Sequence, residues 1–271
     1  MRSITTAGFV LAGALAAACG ARTAVPTPVA PARTATADTG RVLTVVAQDS
    51  QSQTAVARAE AKVTPSIPAT LSAPAALMFC VPLQQGGYEQ PGLPLATVPD
   101  GSKVYYEPGT CQPNVDASGA VALKDAAGNI ARNPDGTIRR VTPTYTTAYN
   151  TESVVWTPAK GDLNGAPTIM TAKFLMHNAR VQMDQLGQSS LVFNMTQDGK
   201  QVFGSLTRRI GAATNGLPLA LFLDGKPLRG GDGKVIAPRV MSPITDTGTT
   251  TGLHRVDAQR LAGLLDSGML R

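Results

Sequence analysis

The densest apolar pattern in this 271-residue chain lies in its second half. Residues 217–223 are almost continuously apolar, which predicts a buried central strand. Asp224 and Gly225 follow directly and predict a tight turn. A second extended run is predicted at residues 237–244, beyond the glycines at 230–234, which we interpret as a long hairpin tip.

Two amphipathic helices are predicted on either side of this strand and turn. Residues 196–211 form the first, with Thr196 as its N-cap and Gly211 at its end. Residues 255–268 form the second, with Gly268 after its last turn. Each has a single apolar face. The face positions are Val202, Phe203, Leu206 and Ile210 in the first helix, and Ala258, Leu261, Ala262 and Leu265 in the second.

A strand pair is predicted upstream of the first helix, at residues 180–186 and 190–195. Leu191, Phe193 and Met195 alternate with their neighbours in the way that is typical of a half-buried strand. Thr171 predicts the N-cap of a further helix that runs through residue 178. We therefore expect residues 165–271 to form an α+β domain with an antiparallel sheet packed by two or three helices.

The first half of the chain, residues 42–164, is predicted to be a loop-rich β segment. Strands are expected at residues 42–47, 76–82 and 153–157, and a short helix at 52–63. Glycine, proline, asparagine and threonine separate short extended pieces between residues 83 and 150. Within them, Asp135 and Gly136 predict a hairpin turn.

Composition and charge narrow the candidate partners. Apolar residues make up 43% of the chain, which is enough for a core, and charged residues make up 15%. The formal net charge is +6, but the basic residues are scattered, and no run of Lys and Arg with interleaved aromatic residues occurs. We interpret them as a solvated surface and expect no nucleic-acid partner. A weak attraction to anionic lipid headgroups is the alternative.

Residues 1–19 have the pattern of a secretory signal peptide. Arg2 precedes an apolar run at residues 9–18, which is too short to cross a bilayer core of about 30 Å as a helix. Small residues then lead into Cys19, and the segment resembles the lipobox of bacterial lipoproteins, with Ala16 at the position where leucine is usual. The resemblance implies lipidation of Cys19 and a location on the outer face of the cell membrane, with the membrane as partner. An ordinary signal peptide with an incidental cysteine is the alternative.

Residues 20–41 are rich in proline, alanine and threonine and predict a disordered tether, since they cannot bury enough apolar surface to offset the entropy of ordering. After residue 19, no window of about 18 residues is apolar enough for a transmembrane helix. We therefore expect the mature chain to sit on a membrane through its anchor.

The two remaining cysteines, Cys80 and Cys111, are interpreted as a structural disulfide, because exported proteins commonly oxidise an even pair. A metal site or redox pair is the alternative. We expect no metal site, because His177 and His254 are far from the cysteines in the sequence and no carboxylate cluster accompanies them. We likewise expect no cofactor.

Catalytic motifs are missing from the sequence. The glycines at 230–234 lack the spacing of a phosphate-binding loop, and neither Ser-x-x-Lys nor Gly-x-Ser-x-Gly occurs. A Ser-His-Asp triad is recognised by geometry rather than spacing, so it stays open as a minor alternative. We therefore expect this protein not to be an enzyme.

Several segments of the second half resemble one known family in order and spacing. Residues 191–207 resemble the strand and helix of the first large extracytoplasmic domain of SecD, a subunit of bacterial protein export. Residues 219–226 resemble that family's Leu-Ala-Ile-Val-Leu-Asp-Gly-Lys. The positions Ala237, Pro238, Val240, Pro243, Ile244, Thr251, Gly252, Asp257, Ala258, Leu261 and Ala262 match its later motifs. The resemblance covers residues 165–270.

The resemblance implies a SecD head-like domain, present here as a stand-alone lipoprotein without the family's transmembrane helices. The family's motor function is not carried over, because those helices support it. The resemblance implies transient binding of unfolded polypeptide, or of Sec translocase components, during translocation. The contacts are expected on the hairpin that follows the central strand. The candidate contact residues are Asp224, Gly225, Lys226, Leu228, Val235 and Ile236.

Other functions stay open at the level of the sequence. A structural or assembly lipoprotein of the envelope could keep the SecD head fold without an export role. A hydrolase on an unfamiliar scaffold is a minor alternative. A domain that kept the fold for an unrelated task is also open, since a fold does not determine function.

Overall fold

The structure, a computed structural model, describes residues 65, 67–68, 74–87, 90–183, 189–212 and 216–271. The predicted signal peptide, the tether, the strand at 42–47, the helix at 52–63 and the lipidation site Cys19 lie outside these residues. The described part combines mostly antiparallel sheets with two α-helices, α1 and α2, and so belongs to the α+β class.

Thirteen strands and two α-helices make up the described fold. The strands are β1 (Leu77–Pro82), β2 (Leu95–Thr97), β3 (Val121–Ala122), β4 (Arg140–Val141), β5 (Thr144–Thr146), β6 (Trp156–Pro158), β7 (Lys160–Leu163), β8 (Ala166–Ile169), β9 (Arg180–Met183), β10 (Ser189–Asn194), β11 (Ala220–Leu223), β12 (Lys226–Pro227) and β13 (Thr247–Leu253). The α-helices are α1 (Gln197–Ile210) and α2 (Arg255–Asp266), and short 3-10 helices lie at Gln85–Gly87 and Ala172–Phe174.

A four-stranded sheet in the order β12-β11-β1-β6 is the centre of the fold. β1 pairs antiparallel with β11, with Phe79 opposite Leu221. On its other side β1 pairs with β6, with Val81 opposite Thr157. All six residues of β1 are buried, which matches its nearly unbroken apolar sequence. The two segments that the sequence divides at residue 164 therefore share one sheet.

A three-stranded sheet in the order β13-β10-β9 packs against the central one. Helix α2 contacts β10 and β9, and α1 contacts β7 and the 3-10 helix at Ala172–Phe174. Edge-to-face ring contacts join Phe79 to Phe193 and to Phe203 at centroid distances of 5.8 and 5.3 Å. One hydrophobic core is thus shared by both sheets and both helices.

The predicted first helix is confirmed, together with its cap. The hydroxyl of Thr196 accepts a hydrogen bond from the Gly199 N–H at 3.1 Å, and Gly211 ends the helix. The second helix is also confirmed, over Arg255–Asp266. The strand predicted at 217–223 is shorter, because residues 217–219 pair instead with the segment around Arg239.

The helix predicted from Thr171 through residue 178 is wrong. Only Ala172–Phe174 is helical, as a single 3-10 turn, and the Thr171 side chain makes no capping hydrogen bond. Leu175 is extended and pairs with Met195, and the Met176 N–H donates to the Asn194 carbonyl. Pairing with the end of β10 takes the backbone groups that a longer helix would have used.

Residues 99–141 form a series of short hairpins on one side of the central sheet. The predicted turn at Asp135 and Gly136 is present, and the Gly136 N–H donates to the Asn133 carbonyl. A disulfide joins Cys80 of β1 to Cys111 within this hairpin series. Tyr106 packs edge-on against Phe222 and accepts a hydrogen bond from the Trp156 N–H. These contacts hold the hairpin series against the central sheet.

Candidate functional site

An apolar pocket of about 240 Å³ opens between the central sheet, the three-stranded sheet and the segment at residues 238–244. Three phenylalanines from β1, β10 and α1 lie at its base, namely Phe79, Phe193 and Phe203. The other lining residues are Leu219, Leu221, Pro238, Arg239, Val240, Met241, Ser242, Ile244, Gly248, Thr249 and Thr250. The pocket is smaller than the range of about 300–1,000 Å³ that is typical of small-molecule sites. Its size suits one large apolar side chain.

The antiparallel pairing of β10 with β13 places pocket residues of the two strands opposite each other. Phe193 pairs with Gly248 in the antiparallel register. A Cβ on Gly248 would lie 2.4 Å from the Phe193 ring, so only glycine leaves room for the ring across the strand. The ring therefore lies over β13 and forms part of the pocket wall.

The segment at residues 238–244 is held by specific hydrogen bonds to its neighbours. The Leu219 N–H donates to the Pro238 carbonyl, and the Val240 N–H donates to the Leu217 carbonyl. At the other end, the buried Thr207 hydroxyl of α1 accepts a hydrogen bond from the Ile244 N–H at 2.8 Å. The segment is thus fixed at both ends, with Met241 and Ser242 between them.

The rim of the pocket is more polar and more exposed than its base. Met241 is 57% exposed, which leaves a flexible apolar side chain at the entrance. Arg239 donates a hydrogen bond to the Gly216 carbonyl and lies over the Tyr149 ring, with 5.5 Å between the guanidinium carbon and the ring centroid. Thr249 is exposed on the opposite side. A pocket with an apolar base and a polar entrance can accept an apolar side chain of a peptide while the backbone of that peptide stays in water.

The pocket also lies beside a sheet edge. β13 is an outer strand of its sheet, and Thr249 and Thr250 of this strand line the pocket. Among the described residues, only Gly230 bridges to the outer side of β13, at Leu253. An unpaired edge offers backbone donors and acceptors to an added extended chain.

The structure places the predicted contact hairpin away from this pocket. Leu228, Val235 and Ile236 are at most 8% exposed and pack into the core, so their side chains do not face a partner in this conformation. Asp224 accepts a hydrogen bond from the Ala76 N–H, and Gly225 packs beneath the Thr110 carbonyl. Of the six candidate residues, Asp224 and Lys226 are both charged and exposed.

Groups that could support catalysis or bind metal are dispersed. Among the described residues, no cluster of three or more His, Cys, Asp or Glu side chains could hold a metal ion. His254 is buried at the N-cap of α2, and His177 lies against Gly268. The histidines therefore occupy structural positions at the two ends of α2.

No helix within the described ranges has the length and apolar character needed to cross a membrane.

Comparison with known proteins supports the family resemblance for the second half of the chain. Residues 163–271 match the model of the SecDF P1 head subdomain family. The chain is 29% identical over 115 residues to the protein translocase subunit SecD of Dehalococcoides mccartyi (strain VS), covering 42% of this chain and 25% of the relative. It is 35% identical over 105 residues to the SecD subunit of Dictyoglomus turgidum (strain DSM 6724 / Z-1310), covering 38% and 23%.

The chain spans about a quarter of the length of the curated relatives that it matches. A crystal structure of SecDF in its super-membrane-facing form aligns with a TM-score of 0.34 and 19% identity, over 72% of this chain and 19% of that chain. A likeness at that level supports no argument about the fold. The sequence matches do support relatedness to SecD, a protein-translocation subunit, over residues 163–271.

The sequence did not reveal the pocket, although it did reveal some of its parts. Phe193 and Phe203 were expected as core positions of a strand and a helix, and they are buried. The lining residues extend from Phe79 to Thr250, so their proximity depends on long-range pairing. Gly248 within a threonine-rich strand was the available local signal, because glycine inside a strand often marks a close approach.

Proposed function

We propose that this protein is a non-enzymatic, membrane-anchored extracytoplasmic domain that binds extended polypeptide during protein translocation. The apolar pocket beside the edge of β13 is the observation that carries this proposal. The relatedness of residues 163–271 to SecD points to protein translocation as the setting. Lipidation at Cys19 would keep the domain on the outer face of the cell membrane, and Sec translocase components are the partners that the family suggests.

The binding mode follows from the position of the pocket. A polypeptide that lies along β13 can pair with its free backbone groups, while one apolar side chain enters the pocket. Successive side chains of a strand point to opposite faces, so the neighbouring residues would stay in solvent. Recognition would then require an extended chain with one large apolar residue. The identity of the other residues in the peptide would matter little.

The expected affinity is low. Complete burial of one Leu or Phe side chain contributes about 1.5–3 kcal/mol, and this gain must offset the ordering of the peptide. Binding through one pocket and a few backbone hydrogen bonds would therefore be transient. Transient binding suits a domain that holds a passing polypeptide and releases it again.

A pair of substitutions on the same strand tests the proposal. Thr249 lines the pocket, whereas Thr251, two residues further along β13, does not. Both side chains are exposed, so both Thr249→Trp and Thr251→Trp are expected to fold. The measurement is fluorescence anisotropy of a labelled, mostly polar peptide with one central Phe, titrated with the full chain.

We expect Thr249→Trp to weaken binding at least fivefold and Thr251→Trp to change it less than twofold. A peptide with Ser in place of Phe should bind no better than background. Equal effects of the two variants, or equal binding of the two peptides, would remove the support for a polypeptide-binding pocket. Stable co-purification with membrane components in that case would favour the structural or assembly role.

A further inference from the structure

Sulfur atoms in the described part of the chain occupy two different environments. Cys80 and Cys111 are joined by the disulfide and fully buried, so neither presents a thiol to solvent. Three methionines, in contrast, are more than 40% exposed, namely Met176 (44%), Met183 (53%) and Met241 (57%). An oxidant that reaches this part of the molecule from solvent therefore meets thioethers first.

Met241 is the one of these three methionines that lines the apolar pocket. The backbone on both sides of it is fixed, because the Val240 N–H donates to the Leu217 carbonyl and the Ile244 N–H donates to the Thr207 hydroxyl. The backbone of Gly211 packs against the peptide that follows Met241, and a Cβ built on this glycine would lie 3.2 Å from the Ser242 nitrogen. The thioether is therefore held at the pocket entrance by the backbone that carries it.

A side chain that enters the pocket would pass this thioether. Methionine is flexible and polarisable, and its sulfur makes favourable contacts with aromatic rings. In the bound state Met241 would cover the outer side of a peptide Phe, while Phe79, Phe193 and Phe203 contact its inner side. The chemical state of one exposed sulfur atom therefore bears directly on binding.

A peroxide oxidises a thioether by transfer of one oxygen atom. The sulfur lone pair attacks a peroxide oxygen, an S–O bond forms, and the O–O bond breaks. The proton of the transferred hydroxyl moves to the departing hydroxide, so the products are the sulfoxide and water. The sulfur loses two electrons and the peroxide gains them. The product side chain is polar and chiral instead of apolar, and methionine sulfoxide reductases reverse the change.

We propose that Met241 is an oxidation site that regulates the pocket, a role that rests on the proposed binding of polypeptide there. In the free protein the sulfoxide of a side chain that is 57% exposed stays hydrated, so oxidation leaves the fold intact. A bound apolar side chain would cover the sulfoxide and remove part of its hydration, which is unfavourable without a hydrogen-bond partner. Oxidation of Met241 therefore weakens binding, and reduction restores it.

Met241→Leu is the informative substitution, because leucine keeps an apolar side chain of similar volume and cannot be oxidised. Met183→Leu is the matched control, since Met183 is similarly exposed, on β9, and does not line the pocket. The full chain and both variants are treated with hydrogen peroxide, and mass spectrometry of proteolytic fragments measures oxidation at each methionine. Fluorescence anisotropy then measures binding of the peptide with one central Phe.

We expect oxidation to weaken peptide binding at least threefold in the unmodified chain and in Met183→Leu, and to leave Met241→Leu unchanged. An effect of oxidation at another sulfur would persist in Met241→Leu. If the oxidised chain binds as tightly as the untreated chain, or if Met241→Leu loses as much affinity, the regulatory role is overturned while the proposed function stands. If the untreated chain does not bind the peptide, the proposed function fails, and the regulatory role fails with it.

The rate of oxidation gives a second readout. The Phe-containing peptide, at a concentration well above its Kd, should slow oxidation of Met241 at least threefold relative to the Ser-containing peptide, and leave Met183 unaffected. Equal rates at Met241 with the two peptides would contradict its position at the entrance. The urea midpoint should be the same before and after oxidation. A lower midpoint, together with oxidation of the buried Met170 and Met195, would trace the weaker binding to unfolding and overturn the proposal.

Discussion

The ring of Phe193 lies directly across β13 from Gly248, at a position where a Cβ on Gly248 would be 2.4 Å from the ring. Gly248→Ala must therefore push a buried ring out of its position, and the adjacent pocket is the space that can receive it. Strain of this kind in a packed core costs about 1–3 kcal/mol. We expect a loss of that size in urea unfolding, together with weaker binding of the Phe-containing peptide.

Gly263→Ala is the control for that substitution. Gly263 lies within α2, and a Cβ there would meet nothing within 4 Å. Alanine is favoured over glycine inside a helix by about 0.5–1 kcal/mol. We expect a gain in stability and no change in peptide binding, and a loss at Gly263 similar to that at Gly248 would contradict the steric explanation.

The N-cap hydrogen bond of α1 should contribute to stability, and Thr171 before the 3-10 helix offers a control position without such a bond. Thr196 accepts the Gly199 N–H, whereas Thr171, at the equivalent position of the 3-10 helix, makes no side-chain capping bond. Loss of a threonine cap typically costs about 1 kcal/mol. Thr196→Ala should lower the free energy of unfolding by that amount, and Thr171→Ala should change it much less. Equal losses would show that the hydroxyl of Thr196 does not act as a cap.

The disulfide should make a large contribution to stability. Cys80 and Cys111 are 31 residues apart in the sequence, and both are fully buried. In the chain-entropy model a loop of this length corresponds to about 3–4 kcal/mol. The Cys80→Ala, Cys111→Ala double variant should lose that amount in urea unfolding. A reducing agent should destabilise the unmodified chain similarly and leave the double variant unaffected. If the agent has no effect on the unmodified chain, the bond is absent in solution.

A buried carboxylate connects the start of the described chain to α2. Asp257 is 1% exposed and accepts the Ile67 N–H at 2.9 Å, while Arg260 donates to the Ile67 carbonyl. Removing an acceptor from a buried donor costs about 1–3 kcal/mol. We expect Asp257→Ala to be destabilised by this amount and to be cleaved faster by proteases near residue 67. Gln259→Ala, which truncates an exposed side chain of the same helix, should show neither effect.

Hydrogen bonds in one hairpin turn predict part of the loss of folding stability at acidic pH. The Thr137 hydroxyl and backbone N–H hold the pKa of Asp135 below its ordinary value of 3.8. A lowered pKa in the folded state contributes stability that is present above pH 3.8 and lost as the pH falls through the folded-state pKa. Asp135→Asn should therefore flatten the loss of stability in acid. Unfolding free energies measured across the acid range that are the same for Asp135→Asn and the unmodified chain would contradict this role of the Thr137 contacts.

Local sequence patterns determined the regular elements of the second half. Alternation placed β10, and a 3.6-residue period with a threonine cap placed α1, because these signals depend on neighbours within a few residues. The same patterns failed after Thr171. There the chain pairs with the end of β10, a competing partner some twenty residues away (Leu175 with Met195) that local propensity does not register.

Tertiary structure decided where the candidate site lies. The pocket combines Phe79, Phe193 and Gly248, which are far apart in the sequence. The sequence alone determined the α+β class, the relatedness to SecD and the apolar character of the two phenylalanines. It could not place Leu228 and Ile236 in the core rather than on the surface, because burial depends on which distant strands pack over them.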